Sequence, residues 1–444
     1  MTQTLRETGL QIFTEAMDSC SVAHAFASKI KTINRNLLQL KGEGTVDLSR
    51  VKRILIIAMG KGAASMLEVF LRQSEITEGR EVSGILIAPK PLDNQPETIS
   101  FYAGSHPFPN EQSVAAARAV LELLTSSARD PLADETFCFF LISGGASAMM
   151  ELPLDENISL EDTILFHRAL VHSGASITEI NCVRKHFSAV KGGRLTLAAG
   201  SLRSLTLVVS DVPAGQLDAL ASGPTLPDTS TIDQCRSIIE KYALLPQFSE
   251  SVQRYFESPD LKESPKPGEI TVQVYSLLSS EDLAQAASES AERRGFKVFV
   301  DNACDDWDYR AAADYLLKRL DALRAQYGRV CLISAGEVTV RLPVESKGSM
   351  GGRNLHFALY SALKLQPSDH VAVLSGGSDG VDGSSPAAGA VVDSTTVHSR
   401  YEEAQRAFDD FDSFHFLQDA GATVMTGPTG NNLRDLRILL AEGS

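Results

Sequence analysis

Four apolar runs in this chain end in the same way, and that repetition narrows the fold more than any other feature. Residues 371–374 run into Ser375-Gly376-Gly377-Ser378, and residues 137–142 into Ser143-Gly144-Gly145. Residues 330–333 run into Ser334-Ala335-Gly336-Glu337, and residues 206–209 into Ser210-Asp211. Short continuous apolar runs closed by small residues read as buried strands. Helical patterns lie between them, so the fold class is α/β. A glycine turn at the C-terminal end of a strand is where open α/β sheets place their ligands. Amide groups in such turns form anion-binding nests, and the helix that follows adds its dipole. The repeated design points to a polyanionic ligand.

A chain of 444 residues is long enough for two domains, each with its own core. Residues 258–268, SPDLKESPKPG, are the most linker-like stretch and divide an N-terminal domain, 1–257, from a C-terminal domain, 269–444. Lys plus Arg number 41 against 56 Asp plus Glu, a formal charge of 41 − 56 = −15. With no basic block, this balance argues against nucleic acid and against an anionic membrane as partners. The six cysteines are scattered without metal-ligand spacing, as expected of reduced thiols in a cytoplasmic protein. The opening residues lack a signal-peptide core, and no apolar run is long enough to span a bilayer.

Particular residues carry the chemistry. The run at residues 53–59 leads directly into Gly60-Lys61-Gly62 and a helix, an incomplete dinucleotide fingerprint with Ser65 in place of the third glycine. Lys61 there adds a point charge suited to phosphate or carboxylate. His106 follows a strand end. Ser143, Gly144, Gly145 and Ser147 allow an anion close to the backbone. A helical hairpin is expected over 159–189, ended by Gly192-Gly193. Asn181, Arg184 or Lys185, Ser188 and Lys191 would share one basic face of it. Gly352 and Arg353 open another helix in an anion-clamp arrangement. Ser375, Gly376 and Gly377 form the second glycine turn. Asp379 and Asp382 follow on the same loop and suit a hard cation such as Mg²⁺, with Glu337 and Asp211 as further acids. The segment 1–40 reads as one or two amphipathic helices, and the last glycine loop, 426–432, as the lead into a helix.

No Walker A sequence, protein-kinase signature, nucleophile elbow or zinc-helix motif is present. Glycine-ended strands, a few basic residues and paired acids are the parts of a phosphoryl-transfer site. Seven segments then carry a resemblance: LISGGASAMMELP, INCVRKHFSAVKGGRL, SDVPAGQLDALASGPTLPD, SAGEVTV, GGRNLHFAL, SGGSDGVDGSSPAAGAVVD and TGPTGNNLRDLRILL. In this order, from about Lys61 to Leu440, the chain resembles the class II glycerate 2-kinases, which carry a C-terminal MOFRL domain.

The resemblance implies ATP- and Mg²⁺-dependent phosphorylation of D-glycerate at its 2-hydroxyl. It implies an N-terminal Rossmann-like α/β/α sandwich and a C-terminal MOFRL-type α/β domain, with the active site in the cleft between them. Lys61 and Arg353 match the family's basic positions thought to act in catalysis, and His106 matches the histidine of its G-H-P-x-P-like loop. Asp211 or Asp379 is the expected acid beside the acceptor hydroxyl. The chain departs from the family pattern at Ala146, Val338 and Pro386, the last replacing an Asp. The partners expected are two small molecules, with a homodimer allowed. The alternative reading is an NAD(P)H-dependent hydroxypyruvate reductase with Gly60-Lys61-Gly62 as its nicotinamide loop.

Overall fold

A computed structural model describes residues 4–212, 215–341, 349–367 and 369–443, which form two compact units. The first is Ala25–Leu277; the second joins Met1–His24 to Leu278–Ser444.

In the first unit a small antiparallel sheet, β1 (Ile30–Asn34), β2 (Leu37–Leu40) and β3 (Thr45–Asp47), precedes the main one. The main sheet contains β4 (Arg53–Met59), β5 (Glu81–Ala88), β6 (Ile99–Ala103), β7 (Thr136–Ser143), β8 (Arg203–Val209) and β9 (Val274–Leu278). Their order is β6-β5-β4-β7-β8-β9, and β4 through β8 pair in parallel. Every residue of β7 is buried, as a strand covered on both faces requires.

The helix Ala63–Leu71 covers one face by burying Ala63, Met66, Leu67 and Phe70, at i, i+3, i+4 and i+7. Its Phe70 ring lies 4.7 Å from that of Phe139 on β7. The helix Glu111–Arg129 buries Ala116, Ala117, Val120 and Leu124 within the cluster that holds Leu55, Ile57 and Phe140. The chain runs outward from β4 to β6, then returns to place β7 beside β4. That reversal creates a switch point, where two strand ends diverge and leave a crevice.

The expected hairpin is present as helices Leu160–His172 and Ile177–Phe187, packed around Phe166, Phe187, Phe248 and Phe256. The second helix stops at Phe187, short of Gly192-Gly193. Both glycines take positive φ and lead into the helix Arg194–Ala199.

The second unit has β10 (Lys297–Val300), β11 (Val330–Ala335), β12 (Val371–Gly377), β13 (Gly389–Asp393), β14 (Thr423–Val424) and β15 (Asp435–Ala441). Their order is β10-β11-β15-β12-β13-β14. The last strand is inserted antiparallel between β11 and β12, so the expected helix after residue 432 is a central strand. All seven residues of β15 are buried, which rewards a sheet position over a half-exposed helix.

The helix Leu5–Ser19 packs on this sheet. A Cβ at Gly376 would lie 3.0 Å from the Phe13 ring, so the glycine is what admits the aromatic. Ser375, Gly376 and Gly377 accordingly lie within β12, paired to β13 and β15, and do not form the expected open turn.

The division into units differs from the expected domains at both ends. The apolar stripe of Leu5–Ser19 finds its sheet across the chain, and β9 completes the edge of the first unit. Residues 258–268 belong to that unit as well: Ser264 is buried and donates to Asp228 at 2.6 Å. Only the first part of 1–40 is helical, because residues 30–40 form β1 and β2. A strand is also expected over residues 339–342, but Thr339 makes only an isolated bridge to Asp308 and Val340 and Arg341 take no strand; residue 342, with Lys347 and Gly348, lies outside the described residues. No described helix is long and apolar enough to cross a membrane.

Candidate active site

At the switch point of the first unit, two glycine turns are stitched together. Lys61 N donates to Gly144 O at 2.8 Å, and Gly62 N donates to Ser143 Oγ at 2.9 Å. Gly60 N donates to Ile87 O, and its φ of 117° leaves no room for a side chain against the Ser143 carbonyl. The Gly60 and Gly62 amides are therefore committed internally. They were expected to cradle an anion; instead they fix where Lys61 leaves the backbone.

The Lys61 side chain lies over Gly145. A Cβ there would stand 3.0 Å from Lys61 Cγ and 3.4 Å from His106 Cδ2, so lysine and histidine converge on this turn. Loss of solvent around the His106 ring, then the charges of Lys61 and Arg184, hold its imidazole below the usual range. Arg184 comes from the helix Ile177–Phe187, and its Nε is buried without a hydrogen-bond partner. Lys61 and a neutral histidine at this glycine turn, with the charge of Arg184 reaching the ring, make a local positive field within an acidic chain, the condition for holding an anion. Ser147 Oγ is 2.9 Å from Ser222 Oγ, which donates to Asn181 Oδ1 at 2.9 Å.

Asp211 closes the other side. A Cβ at Gly144 would fall 1.8 Å from Asp211 Oδ2, so glycine is what admits the carboxylate. Gly144→Ala should push that carboxylate aside by more than 1 Å and lower kcat about 10²-fold, the usual effect of such a misplacement. Steady-state kinetics with a circular dichroism check would test this. A fully active Gly144→Ala protein would remove Asp211 from the chemistry.

The other expected cations of this unit are placed elsewhere. Lys185 turns away from Arg184 and sits 3.2 Å from both Asp218 and Asp228. Lys191 is beyond the helix end and fully buried, with Nζ 2.7 Å from Glu151 Oε2. His167 Nε2 shares that oxygen at 2.8 Å. Adjacent helical residues point about 100° apart, so Arg184 and Lys185 could not serve one face.

The second unit supplies another cluster. Arg353 opens the helix Arg353–Lys364. It donates through Nε and Nη2 to Asp435, at 2.5 and 3.0 Å, and Nη2 also lies 2.7 Å from Glu337. Burial pulls its pKa down, but Asp435 and Glu337 more than offset that and leave it raised. A Cβ at Gly377 would lie 3.1 Å from Asp379 Oδ1 and 3.4 Å from Asp435 Oδ1, so these acids edge the same spot.

Asp382 is not available to a ligand. It accepts from Asn354 N at 3.1 Å and Leu355 N at 2.8 Å, capping the Arg353 helix, and Gly352 gives it room. Burial pushes this carboxyl up to about 7 against the pull of those amides. Ser375 Oγ donates to Asn354 Oδ1 at 2.6 Å, again inside the fold. Among the described residues no three His, Cys, Asp or Glu are grouped to hold a metal. Glu337 pairs with Arg353, Asp382 caps a helix and Asp379 is exposed, so these three do not fit a resident Mg²⁺.

Sequence reasoning missed Asp435, the fixed partner of Arg353. It missed Arg434 as well, which grips Asp305 through both Nη atoms at 2.6 and 2.7 Å. The one signal was the alternation of charged and apolar residues in LRDLRILL, a strand pattern with Asp435 and Arg437 on one side.

The fold and these clusters are those of an α/β enzyme with a Rossmann-like unit and a second α/β unit, acting on small molecules. Residues 8–257 match the family described as a domain of unknown function, DUF4147, and residues 330–435 match the MOFRL family. The D-glycerate 2-kinase of Thermotoga maritima is 34% identical over 403 residues, 89% of this chain and 92% of its own. The glycerate 2-kinase of Pyrococcus horikoshii is 30% identical over 98% of this chain and 97% of its own. The crystal structure of glycerate kinase from Thermotoga maritima matches with a TM-score of 0.82 at 30% identity, covering 98% of this chain and 99% of that one. This chain belongs to the glycerate 2-kinase family.

Proposed function

We propose that this protein transfers the γ-phosphoryl group of ATP to the 2-hydroxyl of D-glycerate, giving 2-phospho-D-glycerate and ADP, in the cytoplasm. The observation that carries the reading is the convergence of Lys61 and His106 on the glycine turn at the switch point, within the field of Arg184. In phosphoryl transfer the protein mainly positions the groups and neutralises charge. Lys61 and Arg184 would hold the anionic groups, and neutral His106 would donate or accept a hydrogen bond beside them. Asp211 would orient the acceptor hydroxyl and take its proton as the oxygen bonds to phosphorus and the β–γ bridge breaks. Arg353 would stabilise charge on the transferring group. Mg²⁺ would arrive with the nucleotide's own phosphate oxygens, since the acids named above do not form a site for it.

The reductase reading finds less support. A nicotinamide dinucleotide site places its ribose-binding acid at the end of the second strand. Here β5 ends at Ala88 before Pro89-Lys90, and Glu81 opens the strand instead.

The test is a coupled assay with D-glycerate, ATP and Mg²⁺, using enolase as the first coupling enzyme and no mutase. Enolase accepts 2-phosphoglycerate and not its 3-isomer. Signal without mutase is expected. Signal only after adding mutase would overturn the position of transfer, and no signal in either case would end the glycerate reading.

A further inference from the structure

The serine that follows the glycine turn is oriented by a chain of hydrogen bonds that runs in one direction only. Asn181 is buried on the helix Ile177–Phe187, and its Nδ2 donates to Ala219 O at 3.4 Å, which turns Oδ1 toward Ser222. Ser222 is buried as well and donates its hydroxyl proton to that Oδ1 at 2.9 Å. Flipping the amide would set Oδ1 against the Ala219 carbonyl, two acceptors with no proton between them. A hydroxyl has one proton to give. The 2.9 Å contact between Ser222 Oγ and Ser147 Oγ is therefore made with Ser147 as the donor. With its own proton committed, Ser147 Oγ has only lone pairs left to offer.

The chain is held in place from behind. Ala221 and Ser222 both take the left-handed backbone region, at φ of 51° and 59°, where residues with a Cβ are strained. Gly192 N donates to Ser222 O at 3.1 Å and Gly193 N to Gly223 O at 2.8 Å, which fixes this turn. Strain of that kind persists where the surrounding structure over-determines it, and it gathers at ligand sites.

Ser147 itself is half-buried and stands two residues beyond Gly145, on which Lys61 and His106 converge. A molecule held at the turn by its anionic end thus meets, a short way on, an oxygen that only accepts. A carboxylate there would set lone pairs against lone pairs. A methyl group would leave the oxygen unpaired. A hydroxyl brings the missing proton. We infer that Ser147, polarised by Ser222 and Asn181, selects the acceptor by its non-reacting hydroxyl: it accepts a hydrogen bond from the 3-hydroxyl of D-glycerate and discriminates against acids with a methyl or a second carboxylate at that position. Ser147 touches the substrate; Ser222 and Asn181 are positioning residues that act through it. This inference rests on the glycerate reading above and deepens it.

The experiment measures KM for D-glycerate and inhibition constants against it for two acids. D-Lactate carries a methyl in place of the hydroxymethyl group, and tartronate carries a carboxylate there. In Ser147→Ala the advantage of D-glycerate over D-lactate should shrink about tenfold, the worth of one hydrogen bond. In Ser222→Ala the Ser147 proton is released and can be offered to an anion. Tartronate should then bind about tenfold more tightly while D-lactate changes less than about twofold. A loosened turn would weaken all three acids together, so a gain for tartronate separates polarisation from a merely structural role. If Ser222→Ala does not fold, Ser147→Ala at its half-buried position decides alone. An unchanged D-glycerate to D-lactate ratio in Ser147→Ala would overturn the inference, as would unchanged or weaker tartronate binding by a folded Ser222→Ala protein. No turnover of D-glycerate by the wild-type protein would remove the glycerate reading and this selectivity with it; turnover with unchanged ratios would remove the selectivity alone.

Discussion

Arg353→Ala should lower kcat about 10³-fold or more, the scale of losing a cationic clamp on a transferring phosphoryl group. The reason lies in how the fork is held. Asp435 is 1% exposed and takes two guanidinium nitrogens, so it fixes the orientation of the side chain. Glu337, 31% exposed, is the outer partner, and in the proposed reaction an incoming phosphate oxygen would take its place on the guanidinium. Truncation also leaves Asp435 buried without its cation, which destabilises the helix start. The comparison must therefore be made per folded molecule, with circular dichroism giving the folded fraction. Arg353→Lys keeps the charge but lacks the planar fork and should recover only part of the loss. Near-wild-type turnover by Arg353→Ala would remove this residue from the mechanism.

A large effect on stability is expected at Glu151. Its carboxylate is fully buried and its Oε2 meets both Lys191 Nζ and His167 Nε2. Lys191 also donates to Met150 O at 3.4 Å, so the cluster anchors the chain just after the glycine turn. Removing one partner of a buried ion pair leaves the other charge uncompensated, at a cost of about 3–5 kcal/mol. Glu151→Ala should show that loss in urea unfolding at pH 7, against a typical domain stability of about 5–15 kcal/mol.

The same cluster sets an acid limit. Burial, opposed by Glu151, holds His167 down at about 4 from a usual 6.5. The unfolded chain then takes up a proton that the folded chain refuses between those values. His167 thus favours the folded state fully above pH 6.5, and that contribution falls by about 3 kcal/mol as pH drops to 4. A Glu151→Ala protein with wild-type unfolding at pH 7 would show the cluster to be inert.

Much of the fold was legible because its signals are local. The apolar runs that became β4, β7, β8, β11 and β12 are continuous and end in small residues, and a strand buried on both faces needs little else to be recognised. Lys61 and Arg353 were legible for a similar reason, since each follows a glycine at a helix start. The sequence by itself determined these elements, the α/β class, and the turn that carries Lys61.

Tertiary structure decided which of the candidates meet. Arg184 and Lys185 are neighbours in the chain, yet the charge of one reaches His106 while the other pairs with two aspartates, because a helix turns between them. Ser375-Gly376-Gly377 looked like a second anion turn, but the helix Leu5–Ser19 uses that absence of side chains to seat Phe13. Asp382 looked like a metal ligand and caps a helix 27 to 28 residues away in sequence. Asp435 gave no sign of pairing with Arg353, 82 residues distant, until β15 entered the sheet between β11 and β12. Period and turn chemistry are written in neighbouring residues. Partnership across a sheet depends on strand order, which only the packing of the whole chain fixes.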